Sequence, residues 1–108
     1  MNKNQADLAK LPKHIATKAR ITTSGEVEWQ FGDAPAAIKA LAKAGFIILG
    51  LEARSYEDGT FEVPLSSFKL KNGDYQARVL AAKQAALNTL DREDLSWDKL
   101  DWILITWQ

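Results

Sequence analysis

The stretch Phe46-Ile47-Ile48-Leu49-Gly50-Leu51 decides how the rest of this chain is interpreted. None of its side chains needs water, and it is rich in β-branched and aromatic residues, which is typical of a strand buried on both faces. It is too short to cross a membrane. We therefore predict the central strand of one small sheet, in which Gly50 marks either a β-bulge or a close approach of another backbone.

A strand and a helix are predicted before this stretch. Apolar and polar residues alternate across residues 26–31, which indicates a strand with one buried face and one solvated face that carries Glu26 and Glu28. A helix follows, with the Asp33 carboxylate as its N-cap and Gly45 ending it in the left-handed conformation. Strand, helix and strand in this order predict a βαβ unit with parallel strands and a right-handed crossover.

Further elements are predicted on either side of this unit. A short helix is expected at about Pro12–Ala19. Asp58-Gly59 predicts a hairpin turn, and Pro64 in the returning strand indicates a sheet edge, because proline cannot donate to a neighbouring strand. Apolar residues then recur at helical spacing from Tyr75 to Leu90, and the aromatic and β-branched run Trp102–Trp107 predicts a last strand.

These elements predict one α/β (α+β) domain over residues 1–108. Its four-stranded mixed sheet has two main helices packed on it and a short N-terminal helix. From Glu26 onward the order β-α-β-β-α-β matches ferredoxin-like connectivity, in which the first and third strands are central. The second and fourth predicted strands are the most apolar, which does not fit that order, so the sequence leaves the strand order open.

The composition narrows the classes of function. Fourteen basic residues balance fourteen acidic ones, so no overall field drives the chain onto nucleic acid or anionic lipid. The absence of cysteine removes disulfides, thiolate zinc sites and a cysteine nucleophile. The N-terminus shows no apolar run of signal-peptide length, so we expect a cytoplasmic protein without a membrane anchor.

No constellation of catalytic residues stands out. His14 is the single histidine and has no triad partner in sequence, and the carboxylates show neither metal-ligand spacing nor a neighbour that would shift their pKa values. The pair Glu26 and Glu28 is interpreted as the solvated side of a strand rather than as an acid–base pair. We therefore expect a protein without enzymatic activity, cofactor or metal.

Two acidic surfaces are the candidates for binding another protein, although charged loops of this kind are also commonly just solvated. Acidic side chains beside an exposed aromatic ring suit a basic partner, because charge steers the encounter and the ring anchors it. The predicted binding residues are Glu93, Asp94, Trp97 and Asp98 in the segment 91–101, and Tyr56, Glu57, Asp58 and Glu62 around the hairpin tip.

One part of the chain resembles a known family. The segment from Ala40 to Arg54, with Ala-rich helix and Gly-Phe-Ile-Ile-Leu-Gly, and its continuation from Tyr56 to Glu62 are similar to the core of small bacterial immunity proteins. Those proteins are encoded beside polymorphic toxins, including toxins of contact-dependent growth inhibition. The similarity spans roughly residues 27–90. The chain departs from the pattern at Leu51, where a second glycine is common, and at Ser67-Phe68, so no functional residue is carried over.

The resemblance implies an antitoxin in bacterial competition. Such a protein binds one cognate toxin domain, often a nuclease, and blocks its active site without touching nucleic acid or membrane. It needs no cofactor and does no chemistry. The alternative is a small regulatory or adaptor domain that binds another protein through an exposed strand edge. The sequence indicates neither the toxin nor the oligomeric state.

Overall fold

A computed structural model describes residues 3–56, 61–67, 73–91 and 101–108 of the chain. It contains a five-stranded sheet in which every pair of neighbouring strands is antiparallel. The strands are β1 (Arg20–Ile21), β2 (Val27–Gln30), β3 (Ile48–Ser55), β4 (Phe61–Ser67) and β5 (Trp102–Trp107), and their order in the sheet is β1-β2-β5-β3-β4.

Helices supply the second layer of this α+β fold. In the described part of the chain they are α1 (Lys3–Leu8), α2 (Lys13–Ala16), α3 (Ala34–Lys43) and α4 (Tyr75–Leu90), and a 3₁₀ turn (Phe31–Asp33) leads from β2 into α3. The four predicted strands and both main helices are therefore confirmed. The two-residue strand β1 is an addition, since it is too short to show a periodic pattern.

The apolar stretch around Ile48 forms an interior strand, as predicted. β3 pairs with β5 on one side and with β4 on the other. On the β5 side, Ile48 lies opposite Trp107 and Gly50 lies opposite Thr106, so Leu49 is an extra residue. This shift in register lies next to Gly50 and agrees with the β-bulge, one of the two roles considered for that glycine.

The prediction of a mixed sheet was wrong, because all neighbouring strands of the described sheet are antiparallel. β2 and β3 run in the same direction, as predicted, but β5 lies between them and is antiparallel to both. The ferredoxin-like order was also wrong, whereas β3 and β5, the most apolar strands, are both interior. An apolar strand such as β5 is stable when paired on both edges, and insertion between β2 and β3 provides that.

One face of the sheet carries the hydrophobic core. All four described helices contribute buried side chains to it, among them Leu8, Ile15, Ile38 and Ala86. Trp29 is fully buried, and its indole Nε1 donates to the carbonyl of Ile15 at 3.0 Å. This hydrogen bond connects α2 to β2. The helices therefore cover the face of the sheet that Trp29 occupies.

The ends of the two main helices confirm some predictions and correct others. α4 has the predicted bounds, and Asp74 caps it by accepting from the amide of Ala77 at 2.8 Å. Tyr75, expected to face inward, is 51% exposed. Asp33 makes no capping hydrogen bond, because it lies in the 3₁₀ turn, although Gly45 has the predicted left-handed φ of +95°.

The N-terminal region is more helical than predicted. The expected helix at about Pro12–Ala19 is shorter, since α2 covers Lys13–Ala16, and α1 is an additional helix before it. Asp7 of α1 is buried and accepts from the Trp107 indole at 2.9 Å and from Lys3 at 2.8 Å. The N-terminus is therefore joined to the last strand.

Candidate functional site

The second face of the sheet carries charged and aromatic side chains. The register places Glu28 of β2 opposite Leu104 of β5, and Leu104 opposite Glu52 of β3. Two residues along, Trp102 of β5 lies opposite Arg54 of β3. Paired residues share a face and so do residues two apart, so these side chains all lie on the side away from the helical core.

Glu28 is the centre of this face and is fully buried. Its Oε1 lies 2.7 Å from Nε and 2.6 Å from Nη2 of Arg20. The Tyr56 hydroxyl lies 3.0 Å from each carboxylate oxygen and donates to the group, and Arg54 Nη1 lies 3.9 Å from Oε2. The prediction that Glu28 is solvated was therefore wrong, because side chains from β1 and β3 close over it.

Two aromatic rings hold the guanidinium of Arg20. Its Cζ lies 3.7 Å from the ring centre of Trp102 and 4.5 Å from that of Tyr56. Both distances are within the range of cation–π attraction. The Arg20 side chain is nevertheless 43% exposed, so it forms part of the surface as well as covering Glu28.

Arg54 ties the remaining carboxylates together. Its Nη2 lies 3.0 Å from Glu26 and 3.0 Å from Glu52. Burial opposes its charge, but the hydrogen bonds between its guanidinium and Tyr56, Glu26 and Glu52 outweigh burial and raise the pKa of Arg54 above its ordinary value. We call the group Arg20, Glu26, Glu28, Glu52, Arg54, Tyr56 and Trp102 the charged cluster.

An open cavity of about 450 Å³ lies beside the charged cluster. Its lining combines cluster residues with the turn that joins β1 to β2, from Thr22 to Ser24. The Thr22 amide donates to the Glu26 carbonyl, the Gly25 amide donates to the Thr22 carbonyl, and Gly25 has a positive φ of +86°, which together fix this turn. The cavity therefore has one wall of hydroxyl groups and one of paired charges.

The sequence-predicted binding residues lie around one end of the sheet where they can be placed. Tyr56 follows β3, is 38% exposed and belongs to the charged cluster. Glu62 lies in β4 with its backbone paired to Arg54, and nothing further is described of it. Glu57, Asp58, Glu93, Asp94, Trp97 and Asp98 lie outside the described residues.

The register brings together the described residues that border the two acidic segments of the sequence. Because Trp102 pairs with Arg54, the start of β5 and the end of β3 lie at the same end of the sheet. The segment 91–101 leads into β5, and the hairpin tip follows Tyr56. The described residues at the boundaries of both surfaces, Asp101 and Tyr56, are exposed there.

Sequence reasoning missed Arg20, Glu28 and Arg54. The signal that could have found two of them is the sign of charge on the polar side of two strands, negative at Glu28 and positive at Arg54. Such pairs stabilise neighbouring strands. These two contact each other across β5, so the signal has meaning only once β5 is known to lie between β2 and β3.

Other chemistry finds no support in the part of the chain that the structure describes. No group of three or more potential metal ligands occurs among residues 3–56, 61–67, 73–91 and 101–108. His14 is exposed on α2 and does not line the cavity. Across the same ranges, no helix has the length and apolarity that a membrane span requires.

Comparisons of the chain with protein-family models, with curated proteins and with solved structures found no match.

Proposed function

We propose that this chain is an immunity-type protein that binds and neutralises a cognate toxin domain, in the cytoplasm and without catalysis of its own. The observation that carries the proposal is the second face of the sheet, on which the charged cluster presents Arg20, Tyr56 and Trp102 at the surface. Arginine, tyrosine and tryptophan are the residues most enriched at the energetic centres of protein interfaces.

The preorganisation of these side chains supports binding. Arg20 is held by Glu28 and by the two rings, so little side-chain freedom is left to lose when a partner covers it. Ordering flexible side chains is one of the main costs of association. A surface that is already ordered avoids that cost.

The charge at this end of the sheet favours a basic partner. In the charged cluster three glutamates face two arginines, and the exposed Asp101 lies next to Trp102. Both acidic sequence segments begin or end here. A nuclease toxin must bind phosphates and therefore has a basic cleft, which fits an acidic cover.

The state of Glu28 favours binding over catalysis. A general base needs a carboxylate that can reach a substrate proton. Glu28 is fully buried, and its carboxylate oxygens accept hydrogen bonds from Arg20 and Tyr56. We therefore assign the cluster a positioning role and propose no reaction for it.

Co-expression tests the proposal directly. The toxin domain encoded immediately upstream is expressed with and without this chain, and surviving cells are counted. Rescue together with a co-purifying complex is the expected result. Cell death in the presence of folded chain, or a neighbouring gene that encodes no toxin, contradicts the proposal.

Charge reversal then locates the interface. Reversing Glu93, Asp94 and Asp98 together is expected to weaken the complex because steering and pairing are lost, while the melting temperature stays unchanged. Reversal of Lys39 and Lys43, exposed on α3, is the control and leaves affinity unchanged. Unchanged affinity of the first variant removes this segment from the interface.

A regulatory or adaptor domain is the second candidate, and the position of β4 favours it. β4 is the last strand in the sheet order and pairs only with β3 among the described strands. An extended peptide can add to such an edge. Pro64 weakens this route, since it cannot donate a backbone hydrogen bond. A pull-down that returns a partner without toxin activity favours this candidate.

A further inference from the structure

The cavity beside the charged cluster has the chemistry of a receptor for one side chain. We infer that it takes a cationic side chain, arginine or lysine, of the bound partner, with Glu26 as its counter-ion. This inference rests on the proposed function and adds to it the contact by which the sheet face recognises its partner.

The balance of charge around the cavity decides the sign of the ligand. Arg20 and Arg54 are each bonded to carboxylates, Arg20 to Glu28 and Arg54 to Glu26 and Glu52. Glu26, Glu28 and both arginines line the cavity, whereas Glu52 pairs with Arg54 from outside the lining, so the charged cluster as a whole has three carboxylates for two guanidinium groups. An anion would have to separate an arginine from its carboxylate, whereas a cation adds to a site with negative charge in excess.

Glu26 has the geometry to meet that cation. Its hydrogen bonds from Arg54 and Ser24 both go to Oε1, at 3.0 Å each. Among the described residues, no hydrogen bond is made to Oε2. The Glu26 side chain is 44% exposed and lines the cavity, so this oxygen can accept from a guanidinium or ammonium group.

Hydroxyl groups complete the receptor. Thr22 Oγ1 and Ser24 Oγ lie 3.0 Å apart in the same cavity wall. Thr22 Oγ1 accepts from the Glu26 amide at 3.2 Å and Ser24 Oγ donates to Glu26, so each hydroxyl oxygen keeps one lone pair for a further N–H group. A guanidinium carries five donors, more than one carboxylate oxygen can satisfy. Carboxylate and hydroxyls together therefore match an arginine head better than a simple counter-ion would.

Short peptides test the inference without the toxin. The probes are the acetylated, amidated tripeptides Gly-Arg-Gly and Gly-Lys-Gly, Gly-citrulline-Gly as the neutral isostere of the arginine probe, and Gly-Glu-Gly as the anion. Each is titrated into the full chain at fixed ionic strength while backbone amide signals are followed by NMR. The arginine probe is expected to shift the amide signals of residues 22–28 and 54–56. The citrulline probe is expected to bind at least about fivefold more weakly than the arginine probe.

A matched pair of variants assigns the effect to Glu26. Glu26→Gln keeps the shape of the side chain and removes its charge. We expect it to lower the affinity for the arginine probe to that for the citrulline probe. Asp33→Asn removes a partly exposed carboxylate that lies outside the cavity and outside both acidic surfaces, and it leaves binding unchanged. Melting temperatures within about 4 °C of that of the original chain show that the fold is intact in both variants.

Two results overturn the inference. If Gly-Glu-Gly shifts these amides and the cationic probes do not, the cavity is an anion site. If arginine and citrulline probes bind equally, charge does not matter there. If the chain rescues cells from the toxin but the cationic peptides do not bind, the proposed function stands and the cavity has no part in it. If the cationic peptides bind but the chain does not rescue cells, the proposed function is wrong and the cavity is a cation site.

Discussion

Replacement of Glu28 by glutamine is the sharpest test of the charged cluster. Glu28→Gln keeps the size of the side chain and removes the charge that Arg20 and Tyr56 contact. A hydrogen bond to a charged group contributes about 1.5–3 kcal/mol, and an amide oxygen retains part of it. Losing a buried carboxylate also removes its desolvation penalty, which offsets part of the cost. We expect the free energy of unfolding to fall by about 2 kcal/mol. This value is near the low end of that range because Arg20 is 43% exposed and can turn to solvent.

Urea unfolding followed by tryptophan fluorescence measures this loss. With a slope of about 1–1.5 kcal/mol per molar urea for a small domain, the midpoint should fall by about 1.5 M. The slope itself should not change. Glu26→Gln is the matched control because Glu26 belongs to the same cluster but is 44% exposed, and its cost should be at most about 0.5 kcal/mol.

A double-mutant cycle separates the pair from its surroundings. Arg20→Met is combined with Glu28→Gln, and we expect a coupling energy of about 1 kcal/mol, as for groups in contact. If the free energy of unfolding of Glu28→Gln is within about 0.5 kcal/mol of that of the original chain, Glu28 behaves as a surface residue. The buried cluster, and the surface built on it, would then be refuted.

Two further predictions concern other parts of the chain. Burial raises the pKa of the Asp7 carboxyl, but hydrogen bonds from Lys3 and Trp107 and nearby positive charges outweigh burial and lower it. Because the pKa of Asp7 is lower in the folded chain, its ionised carboxylate stabilises the fold at pH values above the unfolded-state pKa of about 3.9. This stabilisation is lost as the pH falls through the folded-state pKa. Asp7→Asn should therefore unfold at lower urea than the original chain at pH 7, with the gap closing below about pH 4; a gap independent of pH would refute the charge argument. Gly45→Ala should cost about 1 kcal/mol in calorimetry, because φ is +95° although the space is open, whereas Gly32→Ala meets neither strain nor contact and should be neutral; equal effects would exclude backbone strain.

Local patterns predicted the individual elements well. The apolar run around Ile48 identified an interior strand, and apolar residues at helical spacing located α4. Pro64 identified β4 as an edge. Each of these signals is carried by residues within one element, so the information needed is present in a short window of sequence.

The charged cluster could not be predicted in the same way. Alternation placed Glu26 and Glu28 on the side of β2 opposite Trp29, which is correct, but alternation does not say what covers that side. Arg54 and Tyr56 are 28 residues away from Glu26 and Glu28, respectively, and reach them only in the observed strand order. The burial of Glu28 is therefore a property of the tertiary arrangement.

The position of β5 connects the fold to the proposed function. β5 separates β2 from β3, so Glu28 and Arg54 approach across an intervening strand, and such a contact requires the length of an arginine side chain. β5 also supplies Trp102, which stacks on Arg20. The same strand that completes the hydrophobic core with one face therefore assembles the candidate binding surface with the other. A substitution on the second face of β5 should alter binding without a loss of core packing, since Trp102 lies outside the core that Ile103 and Ile105 help to form.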